Sequence, residues 1–489
     1  MKPRYFIILR IFFLILIALT FINAFNGAVP ETEVIIGTFL GDWHRNYYGD
    51  HAPEKLDVIW RTFLGKGKTI ISKKIGEKEW AGSGWTGQPL LVRENGKLRL
   101  FQGAFDHHLK KIDAETGKII WQYAFDDVIK GTGTIWVNSK AENPAEHMVI
   151  LQGSRRGLDK DLYSRIVPSF RAISGITGEE LWRMNVRQTA SYSRDVDGSA
   201  MILQDTAYIA LENALFVKFN PDRKNTVLQD GLLQPEIFQE ITLYNNRDIQ
   251  NHGGNLVAES SPALLDDRIY ITAGSGHVFG YNIKKKVIDW DFYIGSDMDG
   301  SPVVTSDSCL IVTVEKQYIE GKGGVFKLDP RKRPDESVVW FMPTEDDSME
   351  SWAGGVIGSA GINDRTKAPA DPYLCAFIAI DGNLYVVDHQ QIDKQSPKVY
   401  GPNNRYKYPQ PKLIYVNKIG PSIATPVFVG NKLLAPGYKG LYLFEFTPTG
   451  KFRLLDKHLS GSFESTPIVH DHKIFVGSRD GYLYCFGRK

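Results

Sequence analysis

An eleven-residue pattern recurs along this chain and constrains its fold more than any other feature. Copies end in tryptophan at residues 111–121, 172–182 and 280–290, and the first two carry Thr-Gly at the same position. Self-similarity at a fixed spacing indicates that one supersecondary unit is repeated. Packing within and between such units accounts for the residues that recur, so function must be sought in the residues that depart from the repeat.

Each full repeat predicts four short antiparallel strands. A Ser-Pro or Thr-Pro step precedes the first strand, as at Ser261-Pro262, and a glycine turn precedes the third, as at Gly481. Alternating apolar residues, interrupted by turn residues about every eight to twelve positions, are typical of antiparallel β-structure. Four-stranded units of about 40 to 60 residues are typical of propeller blades.

Eight such blades can be placed along the chain. Their predicted starts are Gln88-Pro89, Gly133-Thr134, Gly198-Ser199, Ser261-Pro262, Ser301-Pro302, Gly355-Val356, Thr425-Pro426 and Thr466-Pro467. The last unit stops after its third strand, and residues 56–60 have the apolar-then-tryptophan ending of a fourth strand. We therefore expect an all-β, eight-bladed propeller whose N-terminal strand completes the last blade, with seven blades as the alternative.

Composition supports a folded, strand-rich protein and gives no case for a nucleic-acid partner. Glycine (46 residues), proline (24 residues) and aromatic residues (12%) favour strands and turns, and the formal net charge is only +2. The three cysteines, Cys309, Cys375 and Cys485, lie in apolar strand-like contexts without metal-ligand spacing. We expect them to be buried free thiols.

The N-terminus has the organisation of a targeting segment. Lys2 and Arg4 precede an apolar run at residues 11–19, and Ile22-Asn23-Ala24 is an acceptable cleavage site. These features predict export from the cytoplasm, with the segment either cleaved or kept as a membrane attachment.

The domain organisation follows from these two signals. We expect residues 1–24 to be a signal peptide or membrane anchor, residues 25–55 a lead-in segment and residues 56–489 a single propeller. The predicted location is the periplasm or cell envelope, with anchoring to the inner membrane by residues 5–25 as the alternative to cleavage.

The repeated Ala-x-Asp-x-x-Thr-Gly-x-x-x-Trp pattern resembles the pyrroloquinoline-quinone (PQQ) repeat family, from about Gly41 to the end of the chain. In that family the tryptophan of each motif stacks between neighbouring blades. The resemblance therefore implies a structural docking role for five tryptophans, Trp60, Trp121, Trp182, Trp290 and Trp340. The family contains quinoprotein dehydrogenases, which hold PQQ and usually calcium in the central channel, and non-catalytic scaffolds such as BamB of the outer-membrane assembly machinery.

Two absences favour the scaffold branch. A quinone with three carboxylates needs Arg and Lys, calcium needs oxygen ligands, and many quinoproteins place adjacent cysteines over the ring. The sequence has neither adjacent cysteines nor a Cys-x-x-Cys-His haem motif. We predict no catalytic residues, and keep PQQ-dependent oxidation of a sugar or alcohol, with PQQ and calcium, as the alternative.

Carboxylates at the predicted blade starts are the clearest departure from a bare repeat. They are Asp195, Asp197, Glu259, Asp297, Asp299, Glu350 and Glu464. In a propeller these positions converge on one mouth of the central channel, where clustered acids favour a cation or an amine-bearing ligand. The alternative is that these side chains cap tight turns by accepting backbone N–H groups.

Two long insertions are the other departure. Residues 220–255 contain Leu232, Leu233, Ile237, Phe238 and Ile241, whose spacing predicts a short amphipathic helix. Residues 388–412 are rich in proline and tyrosine. Such loops suit contact with an envelope protein or a glycan, so the sequence favours a cell-envelope binding or assembly scaffold.

Overall fold

The computed structural model describes residues 30–72 and 74–489. Within those residues, eight four-stranded antiparallel blades follow one another along the chain, which confirms the predicted all-β, eight-bladed propeller. The targeting segment predicted at residues 1–24 lies outside the described residues. Among the described residues, no helix is long and apolar enough to cross a membrane.

Four strands precede the first blade. They are β1 (Thr32–Ile36), β2 (Asp57–Phe63), β3 (Lys66–Ser72) and β4 (Gly76–Ala81). Strand β1 adds to the inner edge of the first blade, while β3 and β4 form a separate hairpin.

The first four blades follow in order. The first contains β5 (Leu90–Glu94), β6 (Lys97–Gly103), β7 (His108–Asp113) and β8 (Ile119–Ala124), and the second contains β9 (Thr134–Val137), β10 (Met148–Gly153), β11 (Phe170–Ser174) and β12 (Glu180–Met184). The third contains β13 (Met201–Leu203), β14 (Thr206–Leu211), β15 (Leu215–Phe219) and, after the inserted hairpin β16 (Val227–Gln229) and β17 (Leu232–Gln234), β18 (Ile237–Thr242). Helix α1 (Asn246–His252) precedes the fourth blade, which contains β19 (Ala263–Leu265), β20 (Arg268–Ala273), β21 (His277–Asn282) and β22 (Val287–Tyr293).

The last four blades have the same plan. The fifth contains β23 (Val303–Val304), β24 (Leu310–Val314), β25 (Gly324–Leu328) and β26 (Val338–Pro343). The sixth contains β27 (Gly361–Ile362), β28 (Leu374–Ile378), β29 (Asn383–Ile392) and, after the inserted pair β30 (Val399–Tyr400) and β31 (Lys407–Tyr408), β32 (Pro411–Lys418). The seventh contains β33 (Val427–Val429), β34 (Lys432–Gly437), β35 (Gly440–Phe446) and β36 (Phe452–His458), and the eighth begins with β37 (Ile468–His470), β38 (Lys473–Gly477) and β39 (Tyr482–Gly487). Single-turn 3-10 helices lie at Pro144–Glu146, Arg223–Asn225 and Pro334–Glu336.

The N-terminal strand closes the ring as predicted. Strand β2 pairs antiparallel with β39, with Trp60 opposite Cys485, and so supplies the fourth strand of the eighth blade. The predicted start of the sixth blade at Gly355 is early, because Gly355 forms a bridge with Glu315 of the fifth blade and the first strand begins only at Gly361.

The prediction of an amphipathic helix in residues 220–255 is wrong at the residues that suggested it. Leu232 and Leu233 lie in β17, while Ile237, Phe238 and Ile241 lie in β18. Strand β18 pairs along the whole of β15, so its backbone groups are satisfied by the sheet, and tertiary pairing overrides the weak helical spacing.

The insertion nevertheless contains a helix a few residues later. Helix α1 begins after Asn245, whose side chain accepts the N–H of Asp248 at 3.3 Å, while the Asp248 carboxylate accepts the N–H of Asn245 at 2.8 Å. This reciprocal capping box starts the helix at that point.

The tryptophans of the repeat lie against the next blade. Their indole N–H donors reach backbone carbonyls at Ala114 from Trp60 (3.1 Å), Pro221 from Trp182 (2.8 Å), Lys332 from Trp290 (3.0 Å) and His389 from Trp340 (3.0 Å). In the described part of the chain, the Trp121 indole nitrogen has no partner. The glycine of the motif fits beneath these rings: Gly117 has φ +72°, and a Cβ added there would lie 2.7 Å from the Trp60 ring. Apolar side chains of adjacent blades fill the space between the sheets.

The lead-in segment runs along the innermost strands of several blades. Its carbonyls accept backbone N–H groups from Ile135 at Gly37 (2.8 Å), Leu264 at Trp43 (2.8 Å), Val304 at His44 (2.9 Å) and Val469 at Tyr48 (3.0 Å). Arg45 is fully buried and donates to the carbonyls of Pro262 at 2.8 Å and Phe39 at 2.7 Å. The segment therefore ties the inner edges of the blades together within the channel.

Candidate functional site

A cavity of about 650 Å³ opens where two sets of turns meet at one mouth of the channel. One set joins successive blades, and the other joins the second and third strands of a blade. The polar lining residues are Lys78, Lys130, Glu259, Asp299, Glu350, Ser351, Glu464 and Arg479. The aromatic and aliphatic lining residues are Ile71, Ile75, Trp80, Trp85, Phe105, Trp352, Ile357, Ile423 and Tyr438. We call this space the mouth cavity.

The predicted carboxylates divide into two layers. Glu259, Asp299, Glu350 and Glu464 line the mouth cavity itself. The other three, Asp195, Asp197 and Asp297, are buried and do not line it. Reasoning from the sequence therefore placed all seven at one mouth but did not separate the cavity wall from the buried layer behind it.

Two buried carboxylates and one lysine were missed by reasoning from the sequence. Glu212 lies in the turn between β14 and β15, and Glu315 follows β24. Lys130 lies in the segment that joins the first two blades. Turns between second and third strands face the same mouth as the blade starts. The position of Glu212 and Glu315 in such turns could therefore have identified them from the sequence.

Asp197, Glu212 and Glu259 form the tightest group of carboxylates at this mouth. One oxygen from each lies within 4.8 Å of the others. Lys130 pairs with Asp197, and the Ser193 hydroxyl donates to Glu212 Oε2 at 2.6 Å. Within the described residues, the buried Oε1 of Glu212 has no hydrogen-bond partner.

This group carries more negative charge than Lys130 can neutralise. Burial raises the pKa of Asp197 to about 7, against the opposing charge of Lys130. Burial, followed by the charge of Asp197, raises the pKa of Glu212 well above its usual range. Burial alone would lower the pKa of Lys130, but the surrounding carboxylates, Asp197 first, raise it well above its ordinary value. Lys130 therefore stays charged, and at neutral pH the carboxylates hold protons or attract a further cation.

A second buried group lies beside the first. The Asn255 amide donates to Asp297 Oδ2 at 2.7 Å, while Asp297 Oδ1 and Glu315 Oε2 have no partner among the described residues. Burial raises the pKa of Asp297 to about 6. Burial, followed by the charge of Asp297, raises the pKa values of Asp299 and Glu315 well above their usual range.

Two of the predicted carboxylates have complete sets of partners. Asp195 accepts from Arg155 Nε at 2.7 Å and from the backbone N–H of Arg156 at 3.0 Å. Burial alone would raise the pKa of Asp195, but Arg155 holds it below its usual value. Glu464 is held by Arg479 Nη1 at 2.9 and 2.8 Å. Asp195 therefore combines an ion pair with one backbone N–H from a neighbouring loop, and Glu464 forms an ion pair.

Aromatic side chains and the β3–β4 hairpin complete the walls. The Trp85 indole N–H donates to Glu259 Oε2 at 3.1 Å. Trp80 of the hairpin packs on Phe105 with ring centroids 5.2 Å apart, and the Arg479 guanidinium lies 5.4 Å from the Trp80 ring. Arg155 fixes the hairpin by donating to Thr69 Oγ1 at 2.8 Å.

The mouth fits a cation better than a quinone. The oxygen set of Asp197, Glu212 and Glu259 is of the kind that hard cations prefer. A quinone with three carboxylates needs several free cations, yet Lys130 is paired with Asp197 and Arg479 with Glu464, which leaves the exposed Lys78 alone among the cations that line the described cavity. The three cysteines are buried and unpaired throughout the described chain, so none forms a disulfide over this cavity.

A second cavity, of about 940 Å³, lies where the two insertions meet. Arg247, Asn251 and His252 of the first insertion line it together with residues 401–408 of the second. The second insertion is fixed there because the Asn403 amide donates to the Ile294 carbonyl at 2.8 Å. We call this space the insertion cavity.

Comparisons with known proteins agree on the fold. The family model described as "Outer membrane protein assembly factor BamB" matches residues 58–331, more than half of the 489-residue chain. No curated protein matches the sequence significantly.

Three solved structures illustrate the range of similar proteins. BamB from Moraxella catarrhalis superposes with a TM-score of 0.52 and 11% sequence identity, over 88% of this chain and 100% of that one. Quinohemoprotein alcohol dehydrogenase from Comamonas testosteroni gives a TM-score of 0.58 and 12% identity, over 93% of this chain and 81% of that one. A europium-containing methanol dehydrogenase gives a TM-score of 0.58 and 12% identity, over 92% of this chain and 98% of that one. At these identities the similarities establish the fold alone.

Proposed function

Because the chain belongs to the family of outer membrane protein assembly factor BamB, we propose that it is an exported, non-catalytic binding and assembly scaffold of the cell envelope. The family name supports a protein partner in outer-membrane assembly. The targeting pattern at residues 1–24 supports export to the periplasm or envelope.

One observation carries the non-catalytic part of this proposal. Both buried or half-buried cations at the mouth, Lys130 and Arg479, are already paired with carboxylates. A triply anionic cofactor would meet carboxyl groups without an ion-pair partner among the described residues at Glu259 and Glu350, and like-charge contact at short range disfavours binding. A binding role is therefore favoured over quinone chemistry.

The insertion cavity is the surface we propose for the partner. It combines exposed aromatic side chains with cations, and Tyr406 is 69% exposed beside Arg405 and Lys407. Tyrosine and arginine provide much of the binding energy of protein interfaces. A glycan partner would use the same aromatic and cationic groups.

Partner capture tests the scaffold role. The purified protein, cross-linked in envelope extracts, is expected to recover a specific protein whose yield falls when Tyr406 and Arg405 are both replaced by serine. Tyr163→Ser is the matched control, because Tyr163 is 71% exposed in another part of the molecule. Equal recovery by the double variant and the wild type would contradict the assignment of this surface.

The second candidate is a PQQ-dependent dehydrogenase that oxidises a sugar or alcohol. The oxygen cluster of Asp197, Glu212 and Glu259 favours it, because those carboxylates could hold the calcium that such a cofactor needs. Bound PQQ would supply the electron-accepting quinone. Dye reduction by the PQQ- and calcium-treated protein, across a panel of sugars and alcohols, would establish this candidate and exclude the scaffold.

A further inference from the structure

Charge at the mouth cavity is strongly unbalanced. Four carboxylates line it, Glu259, Asp299, Glu350 and Glu464, and four lie buried behind it or beside it, Asp197, Glu212, Asp297 and Glu315. Three cations line the described cavity, Lys78, Lys130 and Arg479. Since the Arg155–Asp195 pair is neutral, eight carboxyl groups and three cations surround this space, and five of those carboxyl groups have raised pKa values.

The imbalance coincides with an unsatisfied buried group. Glu212 is 2% exposed, and among the described residues its Oε1 accepts no hydrogen bond. That side chain belongs to the same 4.8 Å group as Glu259, which lines the cavity. A buried carboxylate oxygen without a donor is costly, so a donor brought by a ligand would be stabilising.

A single inorganic ion cannot satisfy the whole wall. In the chain as described, Asp197, Glu212 and Glu259 are the one set of three or more metal-ligating groups within 4.8 Å. Asp299 and Glu350 come from the starts of two other blades and lie outside that set, while Glu464, from a third blade, is already held by Arg479. A ligand must therefore carry positive charges at more than one position to meet both.

The rest of the wall is apolar and aromatic. Trp85, Ile357 and Ile423 form one buried cluster against which Trp352 and Tyr438 pack, and all five line the cavity. Aromatic faces attract ammonium groups, and apolar walls accept the alkyl segments between them. A strongly hydrated metal ion gains nothing from such a surface, whereas an alkylammonium chain uses both kinds of wall.

We propose that the mouth cavity binds a linear aliphatic polyamine, with ammonium groups on the carboxylates of different blades and alkyl segments on Trp85, Trp352 and Tyr438. The volume of about 650 Å³ is within the size range of small-molecule sites and exceeds what one hydrated ion needs. This inference does not rest on the scaffold role, because it concerns a different surface from the insertion cavity.

Titration calorimetry of the purified full chain with spermidine at physiological salt tests the proposal. We expect saturable binding that Glu350→Gln and Glu259→Gln each weaken about tenfold, the loss of one charge-assisted hydrogen bond. Glu350 is exposed, so its replacement leaves the core unchanged, and thermal unfolding of each variant checks the fold. Glu54→Gln is the matched control, because Glu54 is also exposed but lies in a different pocket.

Four outcomes would overturn the proposal. Spermidine could fail to bind, or bind all four proteins equally, which would mean non-specific attraction to acidic surface. Calcium chloride could displace spermidine and bind more tightly, which would make this an inorganic cation site. N-acetyl-lysine methylamide could bind as tightly as spermidine, which would assign the cavity to a lysine side chain of a partner protein.

Discussion

The docking tryptophans and the mouth cavity are built by the same repeat, yet they differ in how far their polar groups are hydrogen-bonded. At the docking layer, four of the five indole N–H groups reach a backbone carbonyl of the next blade, as that of Trp340 does, and Trp121 is the exception among the described residues. At the mouth, buried carboxylate oxygens of Glu212 and Asp297 have no partner among the described residues. Satisfied polar groups are typical of packing, and unsatisfied ones mark places where a ligand would contribute the missing contacts.

The largest expected effect tests the docking side of this comparison. Trp340→Ala should lower the free energy of unfolding by about 3–5 kcal/mol, because it removes a fully buried indole and one of the two donors of the His389 carbonyl, which keeps only Lys327 Nζ. Urea denaturation measures the change. Trp43→Ala is the control, since the Trp43 side chain is 47% exposed, and a loss as large as that of Trp340→Ala would break the distinction between docking and surface tryptophans.

Removing the mouth lysine should have the next largest effect. Lys130→Met leaves Asp197 without its countercharge and should cost about 3 kcal/mol at pH 8, the range for breaking a buried pair. The loss should shrink as the pH falls to 5, because Asp197 then binds a proton. Lys78→Met, also at the cavity but exposed, should change stability by less than about 0.5 kcal/mol. A pH-independent loss in Lys130→Met would contradict the charge imbalance.

A pair of glycines separates backbone strain from docking. Gly117 and Gly96 have φ of +72° and +76°, but an added Cβ meets the Trp60 ring at Gly117 and open space at Gly96. Gly96→Ala should cost about 1 kcal/mol from backbone strain, and Gly117→Ala about 2–3 kcal/mol because the ring must also move. Equal losses in thermal or urea unfolding would show that the Thr-Gly turn does not position the tryptophan.

The pH dependence of stability gives the most specific test of the mouth. The pKa of Asp197 is raised to about 7, so its folded form holds a proton that the unfolded chain has released between about pH 4 and 7. The contribution of protonated Asp197 to the free energy of unfolding is complete below the pKa of the unfolded chain and is lost as the pH rises through 7. Near pH 6, the free energy of unfolding should therefore fall by about 1 kcal/mol for each pH unit.

The control for this slope keeps the other charged groups around Asp197. Lys130, Asp195, Glu212 and Glu259 face Asp197 and remain in an Asp197→Asn variant. His277, with a raised pKa, and His252, with a lowered one, also titrate in both proteins and cancel in the difference. The variant should lose less stability between pH 5 and 8 than the wild type, and identical slopes would refute a protonated carboxylate group at the mouth.

The fold was largely predictable from the sequence because packing repeats. The eleven-residue pattern fixes the turn and the tryptophan of a blade, and the same ending at Trp60 predicts ring closure through β2. The insertion helix was mispredicted because spacing alone cannot distinguish an amphipathic helix from an outer strand that pairs with β15.

The candidate site was predictable only in part. Blade starts gave the wall carboxylates, but Glu212 and Glu315 lie in turns whose sequences differ from the Asp-Gly turns of the regular repeats. The β3–β4 hairpin belongs to no repeat, and tertiary contacts such as Trp80 on Phe105 place it over the mouth. A site whose residues come from several blades and from a hairpin outside the repeats can be recognised only in the three-dimensional structure.

The central claim is that the mouth is a receptor for cations and excludes an anionic quinone. The most direct test is equilibrium dialysis of one preparation against PQQ with calcium and, separately, against labelled spermidine. We predict that spermidine is retained in a one-to-one complex and that quinone absorbance is lost on dialysis. Stoichiometric retention of PQQ, with spermidine washed out, would contradict this account.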